Sequence, residues 1–247
     1  MLHNKVAIIT GAAAGIGEAT ALLFAERRAK VVVLDRDAAG AAQSVQRISA
    51  AGGEALACAA DMRDHASLAA AVAAAIARFG RIDALINNAG IYPRKPFLEV
   101  TEAEWDQMHD INLKGLFRIT QLALPHMLAA GGGKIVNISS VTFFLGPPLM
   151  SHYVASKGGV VGLTRALAKE FGERNIHVNC ITPGAIQTES EKHFVSAEQE
   201  RDFLNGQCLK RRLQPIDVAR VCAFLAGPES DGMTGQTLNV DAGWVLY

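Results

Sequence analysis

The sequence alternates repeatedly between short runs rich in β-branched residues and longer stretches in which apolar residues recur every three or four positions, and this alternation constrains the fold most. The predicted strands are Val6 to Thr10, Lys30 to Asp35, Ala55 to Ala60, Ala84 to Asn87, Lys134 to Ser139, His177 to Ile181 and Leu238 to Val240. The predicted helices are Ile16 to Arg28, Ala38 to Ala50, Ser67 to Phe79, Glu102 to Leu128, Tyr153 to Arg174 and Ile216 to Leu225. Helices that connect parallel strands must cross the faces of the sheet. The pattern therefore predicts a doubly wound parallel sheet of about seven strands in a three-layer α/β/α sandwich.

A single domain is expected to cover residues 1–247. Half of the 247 residues are hydrophobic, which is enough to form one large core. No repeat, charge block or Ser/Gly linker interrupts the pattern, and the Gly131-Gly132-Gly133 run is a short connector between a helix and a strand. Pro125 is expected to kink or end the fourth helix, because proline has no backbone N–H to donate.

The composition argues against several classes of function. The 24 Lys and Arg residues balance the 24 Asp and Glu residues, so the summed charge attracts neither nucleic acid nor an anionic membrane surface. The four cysteines show no CxxC pair and no ligand-like spacing with the seven histidines, which predicts neither a metal site nor a disulfide framework. No apolar run reaches the ~18 residues of a membrane span, and the N-terminal residues lack the pattern of a secretory signal. We therefore expect a cytosolic protein without nucleic-acid or membrane partners.

A glycine-rich stretch, Thr10-Gly11-Ala12-Ala13-Ala14-Gly15-Ile16-Gly17, lies where the first predicted strand ends and the first predicted helix begins. Glycines at such a place let a ligand approach the backbone, and the free N–H groups of a helix N-terminus favour a phosphate. The spacing is not GxGxxG. Taken alone, the stretch is therefore equally compatible with an ordinary strand-to-helix turn.

Asp35 ends the second predicted strand, about 20 residues beyond the glycines, where a carboxylate can accept hydrogen bonds from the ribose hydroxyls of a dinucleotide. The same carboxylate repels the 2′-phosphate of NADP, so its position favours NAD. Arg36 leaves NADP open, since its guanidinium could pair with that phosphate or stack on adenine. The alternative for Asp35 is a solvent-exposed residue at a strand end.

Tyr153 and Lys157 are four residues apart at the start of a predicted helix, so their side chains share one face. A free phenol has a pKa of about 10, and a nearby ammonium lowers that pKa by stabilising the phenolate. Reducing a ketone requires a proton for the developing alkoxide, and oxidising an alcohol requires its removal, so one tyrosine can serve both directions. The alternative is that the two side chains are only neighbours on a helix surface.

A longer set of motifs occurs in a fixed order along the chain. It comprises TGxxxGxG at 10–17, Asp61, Asn87-Asn88-Ala89-Gly90, Asn112, Ser140, Tyr153, Lys157 and Pro183-Gly184. In this order and at these separations, the set resembles the short-chain dehydrogenase/reductase family over essentially the whole chain. The resemblance implies a seven-stranded Rossmann-type sheet that binds one dinucleotide and a catalytic tetrad formed by Asn112, Ser140, Tyr153 and Lys157.

The resemblance also implies a role for each member of the tetrad. Ser140 would hydrogen-bond the substrate oxygen, and Tyr153 would exchange the proton. Lys157 would hold the nicotinamide ribose and lower the pKa of the phenol, and Asn112 would position a relay water. Ser139 and Ser140 are adjacent at a strand end and should face opposite ways, so only one of them can reach the site, and we choose Ser140.

The remaining cofactor contacts are likewise implied by the resemblance. Together with the motifs above, the residues expected to bind the cofactor are Gly11, Ala14, Gly15, Ile16, Gly17, Asp35, Arg36, Asp61, Met62, Asn88, Ala89, Gly90, Tyr153, Lys157, Pro183, Gly184, Ile186 and Thr188. For Asp61, Asn88 and Gly90, caps and turns are the alternative, because Asn, Asp and Gly favour such positions for local reasons. The family also implies a homotetramer that pairs the long helices beginning at Glu102 and Tyr153, although burial within one monomer would give the same apolar stripes.

The candidate substrate pocket is mostly apolar and aromatic. Its residues are Ile91, Tyr92, Phe143, Phe144, Leu145, Leu149, Met150, Phe194, Phe203 and Leu204. Such a lining suits an aryl or cyclic secondary alcohol or ketone better than a free sugar, and the segments around 87–96, 142–153 and 234–243 are similar to family members that act on such alcohols. Some of these residues, Phe143, Phe194 and Leu204 in particular, could instead be core.

Two further features concern substrate access. His152 could contact the substrate and titrate near neutrality, or it could simply precede a helix. The polar segment 187–210 is interpreted as a lid that closes over the substrate, and a solvated helical insertion is the alternative.

Three rival functions remain. A 3-oxoacyl-carrier reductase would share the tetrad but should prefer NADP and present basic residues at the mouth of the site. A polyol or sugar dehydrogenase would have polar residues at the pocket positions. A non-catalytic dinucleotide sensor is the rival from a different class, and it would have no need of a proton donor.

Overall fold

The computed structural model describes residues 2–192 and 195–246. One parallel sheet of seven strands has the order β3-β2-β1-β4-β5-β6-β7. The strands are β1 (Val6–Thr10), β2 (Lys30–Asp35), β3 (Glu54–Ala59), β4 (Ala84–Asn87), β5 (Gly133–Ile138), β6 (Ile176–Pro183) and β7 (Thr237–Val240). The predicted α/β doubly wound fold is confirmed.

Ten α-helices are described, and the longer ones cover both faces of the sheet. They are α1 (Gly15–Glu26), α2 (Ala38–Ala50), α3 (His65–Phe79), α4 (Glu102–His109), α5 (Gly115–Ala129), α6 (Thr142–Leu145), α7 (Ser151–Phe171), α8 (Glu189–Lys192), α9 (Ala197–Gly206) and α10 (Pro215–Ala226). One core cluster packs β1, β2 and their neighbours against α1 and α10, and a second packs the opposite face against α3 and α5. No helix in the described part of the chain is long and apolar enough to cross a membrane.

The prediction of one helix from Glu102 to Leu128 is wrong in one respect. A π-helical turn, Asp110–Lys114, separates α4 from α5. Apolar periodicity misses this turn because Met108 before it and Leu116 after it are both buried. Pro125 lies inside α5 and does not end it.

Other differences are smaller. β6 continues to Pro183, beyond the predicted end at Ile181, because pairing with β7 extends the strand. The short helices α6, α8 and α9 are absent from the prediction, since they carry too few residues for a clear apolar period.

A buried polar network connects the two central strands to the helices that cover them. Asn87 Nδ2 donates to Asn137 Oδ1 at 2.8 Å and to Thr120 Oγ1 at 3.1 Å. Asn137 Nδ2 donates to Thr164 Oγ1 at 2.9 Å. These four side chains fix β4, β5, α5 and α7 relative to one another directly behind the carboxyl edge of the sheet.

The chain reverses its direction of progress through the sheet at β1, which has β2 on one side and β4 on the other. In an open parallel sheet, ligands bind in the crevice outside the carboxyl ends of the strands at such a switch point. The loops that follow β1 and β4 therefore form the expected ligand-binding site.

Candidate active site

The glycine-rich loop connects β1 to α1 as predicted. Gly11 and Gly15 have positive φ angles of 65° and 59°, which favour glycine. A Cβ at Gly17 would collide with Gly11 O, so the start of α1 packs directly on the loop. Ala14 is the N-cap of α1 and has no side chain that can cap it, whereas Ile16 packs against the core. The first N–H groups of α1 are thus available to a phosphate.

The Thr10 hydroxyl joins this loop to the loop that follows β4. Thr10 Oγ1 accepts hydrogen bonds from the backbone N–H groups of Asn88 and Ala89, both at 3.0 Å. Asn88 Nδ2 donates in return to Thr10 O at 3.0 Å and Gly11 O at 3.1 Å. Thr10 belongs to the glycine motif but was not among the predicted site residues. Its position at the carboxyl end of a buried strand is the signal that could have identified it.

Asp35 ends β2 and lies at one end of this crevice. Its Oδ2 accepts a hydrogen bond from Ala13 N at 3.0 Å, and its Oδ1 accepts one from Asp37 N at 3.0 Å. The carboxylate therefore faces the glycine loop. Arg36 beside it is exposed. These contacts hold Asp35 where ribose hydroxyls would reach it.

Asp61 and Met62 lie at the same end. Arg63 forms a bidentate ion pair with Asp61, with Nη2 to Oδ2 at 2.7 Å, and this pair lowers the pKa of the Asp61 carboxyl. The Met62 side chain is buried, and Met62 O accepts a hydrogen bond from Arg118 Nη1 at 3.3 Å. The contribution of Arg63 is not predicted from the sequence, because only the structure shows that this side chain folds back onto Asp61.

The segment that follows β6 returns to the glycine loop. Gly184 N donates to Val240 O at 3.0 Å immediately after Pro183, and Ile186 forms a bridge with Leu213. A methyl group built on Gly15 would lie 3.3 Å from Thr188 Cγ2. The chain between Pro183 and Thr188 thus forms the opposite wall of the crevice.

The four residues of the predicted tetrad come from different elements and meet beside this crevice. Ser140 follows β5, Tyr153 and Lys157 lie on α7, and Asn112 lies in the π-helical turn. Ser140 lies close enough to the Tyr153 phenol to lower its pKa, and Lys157 Nζ lies 5.7 Å from the centroid of the Tyr153 ring. A methyl group built on Gly90 would lie 3.2 Å from Asn112 Oδ1 and 3.5 Å from Lys157 Nζ.

The two adjacent serines have opposite orientations. Ser139 Oγ donates to Lys157 O at 2.8 Å and is buried against α7. Ser140 Oγ faces Tyr153 and also accepts hydrogen bonds from Thr142 N at 3.2 Å and Thr142 Oγ1 at 2.9 Å. The strand period thus separates a packing serine from a serine in the site.

The Asn112 side chain holds the segment that follows β4 in place. Its Oδ1 accepts a hydrogen bond from Ile91 N at 2.8 Å, and its Nδ2 donates to Ile91 O at 2.9 Å. Nδ2 also approaches Ser156 Oγ at 3.2 Å. The irregular turn between α4 and α5 therefore aims this amide into the site, where a regular helix would direct it differently.

Burial shifts the pKa values of the central pair in opposite directions. It raises the pKa of Tyr153 to about 12, against the opposing effect of the Ser140 hydrogen bond, and the nearby Tyr92 adds to the rise. Burial lowers the pKa of Lys157 to about 8. Desolvation of the phenolate dominates the pKa of Tyr153, and Lys157 Nζ donates to Ile138 O at 2.8 Å, so the role of Lys157 in lowering the phenol pKa stays a prediction.

The predicted substrate residues divide into exposed and buried groups. Tyr92, Phe144 and Leu145 are exposed, at 44%, 39% and 41%. Met150 is buried, and His152 is 2% exposed. Burial lowers the pKa of His152, whose charged neighbours are Glu104, His109 and Lys95. The position of His152 favours packing between α4 and α7 over contact with substrate.

The other pocket candidates are also placed, with one exception. Phe143 packs against Gly158 of α7 and the ring of Phe144, and Leu149 is exposed. Leu149 O accepts the backbone hydrogen bond of Lys95, which connects two segments at the mouth. Phe203 packs on Trp244, with ring centroids 5.5 Å apart. Phe194 lies outside the described residues.

The fold and the site together define a dinucleotide-binding α/β protein, and known proteins share both. Residues 11–245 match the family model described as enoyl-(acyl carrier protein) reductase. The chain is 38% identical to a 3-oxoacyl-[acyl-carrier-protein] reductase of Thermotoga maritima over 99% of both chains. It is 41% identical to a (2S)-[(R)-hydroxy(phenyl)methyl]succinyl-CoA dehydrogenase subunit of Thauera aromatica, over 100% of this chain and 98% of the other.

A solved structure shows the same similarity. The 7α-hydroxysteroid dehydrogenase complexed with NADH and 7-oxo glycochenodeoxycholic acid has a TM-score of 0.95 and 38% identity, covering 98% of this chain and 94% of that chain. The chain described here belongs to the short-chain dehydrogenase/reductase family. It is an oxidoreductase that acts on CH–OH groups with a nicotinamide dinucleotide.

Gly17→Ala tests the glycine loop as the dinucleotide site. The added Cβ would meet the Gly11 backbone and Asn88 Nδ2, so the loop must shift. Overpacking costs about 1–3 kcal/mol, and we expect NAD affinity, measured by calorimetric titration, to fall by about 10-fold. Gly172→Ala is the control, since no atom lies within 4 Å of its added Cβ. Unchanged affinity in Gly17→Ala would argue that the dinucleotide binds elsewhere.

Proposed function

We propose that the protein transfers a hydride between NAD(H) and a hydrophobic secondary alcohol or ketone, with Tyr153 as the general acid and base. The observation that carries this proposal is the Tyr153 phenol. It lies near Ser140, which lowers its pKa, has Lys157 beside it on the same face of α7, and lies at the carboxyl edge of the sheet. A structural or sensory role would not require such a group.

Each residue of the tetrad has a distinct part in this proposal. Ser140 donates a hydrogen bond to the substrate oxygen and so polarises the carbonyl. With its pKa raised to about 12, Tyr153 is protonated at neutral pH and can donate its proton to the alkoxide of a ketone under reduction. Lys157 has a pKa of about 8 and is therefore mostly cationic at pH 7. It binds the ribose hydroxyls of the cofactor and places a positive charge beside the phenol. Asn112 positions a relay water, and the bound nicotinamide supplies or accepts the hydride.

The cofactor would lie across the crevice between the loops after β1 and β4. The glycine loop with Asn88, Ala89 and Gly90 would hold the pyrophosphate side, Asp61 and Met62 the adenine, and Ile186 and Thr188 the carboxamide. Support for NAD over NADP comes from Asp35, which the Ala13 N–H orients towards the loop. Arg36 is exposed at the same place and could permit some use of NADP.

The substrate is proposed to be an aryl or cyclic alcohol or ketone. Tyr92, Phe144, Leu145 and Leu149 give the mouth exposed apolar surface. Two of the relatives have names that refer to bulky hydrophobic groups, one a steroid and the other a phenyl-substituted acyl-CoA. An apolar mouth with few polar groups binds such ring systems better than it binds sugars.

An acyl thioester is the second candidate substrate, because relatives that are 38% and 41% identical are named for an acyl carrier protein and an acyl-CoA. Phosphate-bearing carriers require free basic residues. Around the candidate lid, however, Arg211 pairs with Asp217, Arg212 with Glu191, and Lys210 with backbone carbonyls. Pairing of these cations favours the smaller uncharged substrate. A polyol substrate and a non-catalytic sensor are the remaining alternatives.

Three further parts of the proposal concern the whole molecule. Segment 187–210, which carries α8 and α9, is proposed to be the lid over the substrate. An exposed apolar groove formed by Leu113, Phe117, Gly159, Gly162 and Leu163 between α5 and α7 supports a homotetramer built on these helices. A cytosolic location stays a prediction.

Tyr153→Phe tests the proposed acid and base. Without the hydroxyl, the group proposed to exchange the proton is missing, so kcat should fall by about 10²–10⁴-fold while NAD binding is retained. Tyr92→Phe is the matched control, because it removes the neighbouring phenol and should leave turnover within about 10-fold. A near-normal rate in Tyr153→Phe would remove this residue from the mechanism.

Asp35→Ala tests the preference for NAD. Loss of the carboxylate removes the repulsion of the 2′-phosphate and the hydrogen bonds to the ribose, so the ratio of kcat/KM with NAD to that with NADP should fall by about 10-fold. Asp37→Ala removes the next acid, which caps α2 through Gly40 N, and should leave the ratio unchanged. If Asp35→Ala also leaves it unchanged, Arg36 or another group sets the preference.

A further inference from the structure

The side chain of Gln207 is buried without a partner. It is 1% exposed, and neither Oε1 nor Nε2 has a hydrogen-bond partner among residues 2–192 and 195–246. A glutamine amide offers two donors and an acceptor, and burying them unpaired destabilises the folded protein. The position therefore calls for a complementary polar group.

The backbone around Gln207 is held firmly, so the position of this residue is fixed. Gln207 N donates to Phe203 O at 3.2 Å at the end of α9. Lys210 Nζ donates to the carbonyl oxygens of Leu204, Asn205 and Gln207. On either side, Gly206 abuts Trp244, and Cys208 Sγ donates to Gly243 O at 3.2 Å.

Gln207 directly follows the last residue of α9, and Phe203 lies about one turn earlier on that helix. The Phe203 ring packs on Trp244 and lies under the guanidinium of Arg212, whose Cζ is 5.4 Å from the ring centroid. Arg212 pairs with Glu191 and Glu200, and its Nε is also buried without a partner. Two buried side chains near the end of α9, Gln207 and Arg212, therefore carry unsatisfied polar groups.

The segments around these two side chains are connected to the cofactor crevice. Glu191, the partner of Arg212, donates its backbone N–H to Thr188 O at 3.1 Å, and Thr188 lies against Gly15 of the glycine loop. On the other side, the segment that carries Trp244 begins at Asp241, which packs against Gly184 at the end of β6. Gln207 thus lies in the layer that covers the carboxyl edge of the sheet beside the crevice.

We propose that the Gln207 amide is a specificity-determining group that hydrogen-bonds a second polar substituent of the substrate, a hydroxyl or carbonyl remote from the reacting carbon. The inference rests on the proposed function and narrows its substrate class. The proposed dinucleotide contacts lie on other elements, whereas Gln207 belongs to the segment 187–210 that is proposed to close over the substrate. A hydroxyl can both donate to Oε1 and accept from Nε2, so it complements the amide in full.

A polar group at this position would discriminate between substrates. The candidate pocket residues are mostly apolar, and a few fixed polar groups in such a pocket set the orientation of a ligand. A buried amide that expects a partner also rejects an analogue without one, because that analogue leaves the amide unpaired. A hydroxyl-bearing aryl alcohol should therefore be preferred over its unsubstituted parent.

Gln207→Met tests the proposal, since methionine is similar in length and shape but has no amide. The purified enzyme with NAD is offered 1-phenylethanol and each of the three 1-(hydroxyphenyl)ethanol isomers, and thermal unfolding is measured without ligands. We expect Tm to rise by about 2–8 °C, because the unpaired amide is gone. We also expect the best ratio of kcat/KM for a hydroxylated alcohol over its parent to fall by about 10-fold. Asn205→Met, an amide exposed on the same helix, should change neither.

The outcomes separate the two proposals. An unchanged ratio in Gln207→Met, with turnover of both kinds of alcohol by the native enzyme, overturns the role of Gln207 alone. A fall in Tm also overturns it, because the amide then has a structural partner such as a buried water. Turnover of none of these alcohols by the native enzyme contradicts the proposed aryl substrate, and the role of Gln207 fails with it.

Discussion

The parallel direction of all seven strands is the constraint on which the rest of the structure depends. Because the strands point the same way, their carboxyl ends meet at one edge, and residues far apart in sequence meet there too. Thr10 ends β1, and its hydroxyl accepts hydrogen bonds from backbone N–H groups of the loop after β4. Ser140 follows β5, and Gly184 follows β6. The Asn87–Asn137 network holds the central strands in place behind this edge.

The sequence predicts this framework well, because strands buried on both faces are short apolar runs that differ clearly from the helices between them. The motif residues at the site are predicted by their resemblance to the short-chain dehydrogenase/reductase family. Prediction from the sequence fails where one residue changes the local geometry, as in the π-helical turn that aims Asn112. It fails equally where burial decides, since no pattern separates the buried Gln207 from the exposed Asn205 two residues earlier.

Burial also corrects the simplest electrostatic argument about the site. From charge alone, an ammonium near a phenol lowers the phenol pKa, but the loss of water around both groups acts in the opposite sense on each. The result is a protonated Tyr153 and a lysine with a pKa of about 8. In the proposed function this pair suits proton donation to a ketone, because the phenol keeps its proton at neutral pH.

The most direct test of the account is the absorbance of reduced nicotinamide while the purified protein is offered NAD or NADP with 1-phenylethanol, cyclic alcohols, polyols and the matching ketones. The account predicts turnover of aryl or cyclic alcohols with NAD. A strong preference for NADPH and 3-oxoacyl thioesters would contradict it in favour of a carrier reductase. Measurable NAD binding with no turnover of any substrate would instead indicate a sensor.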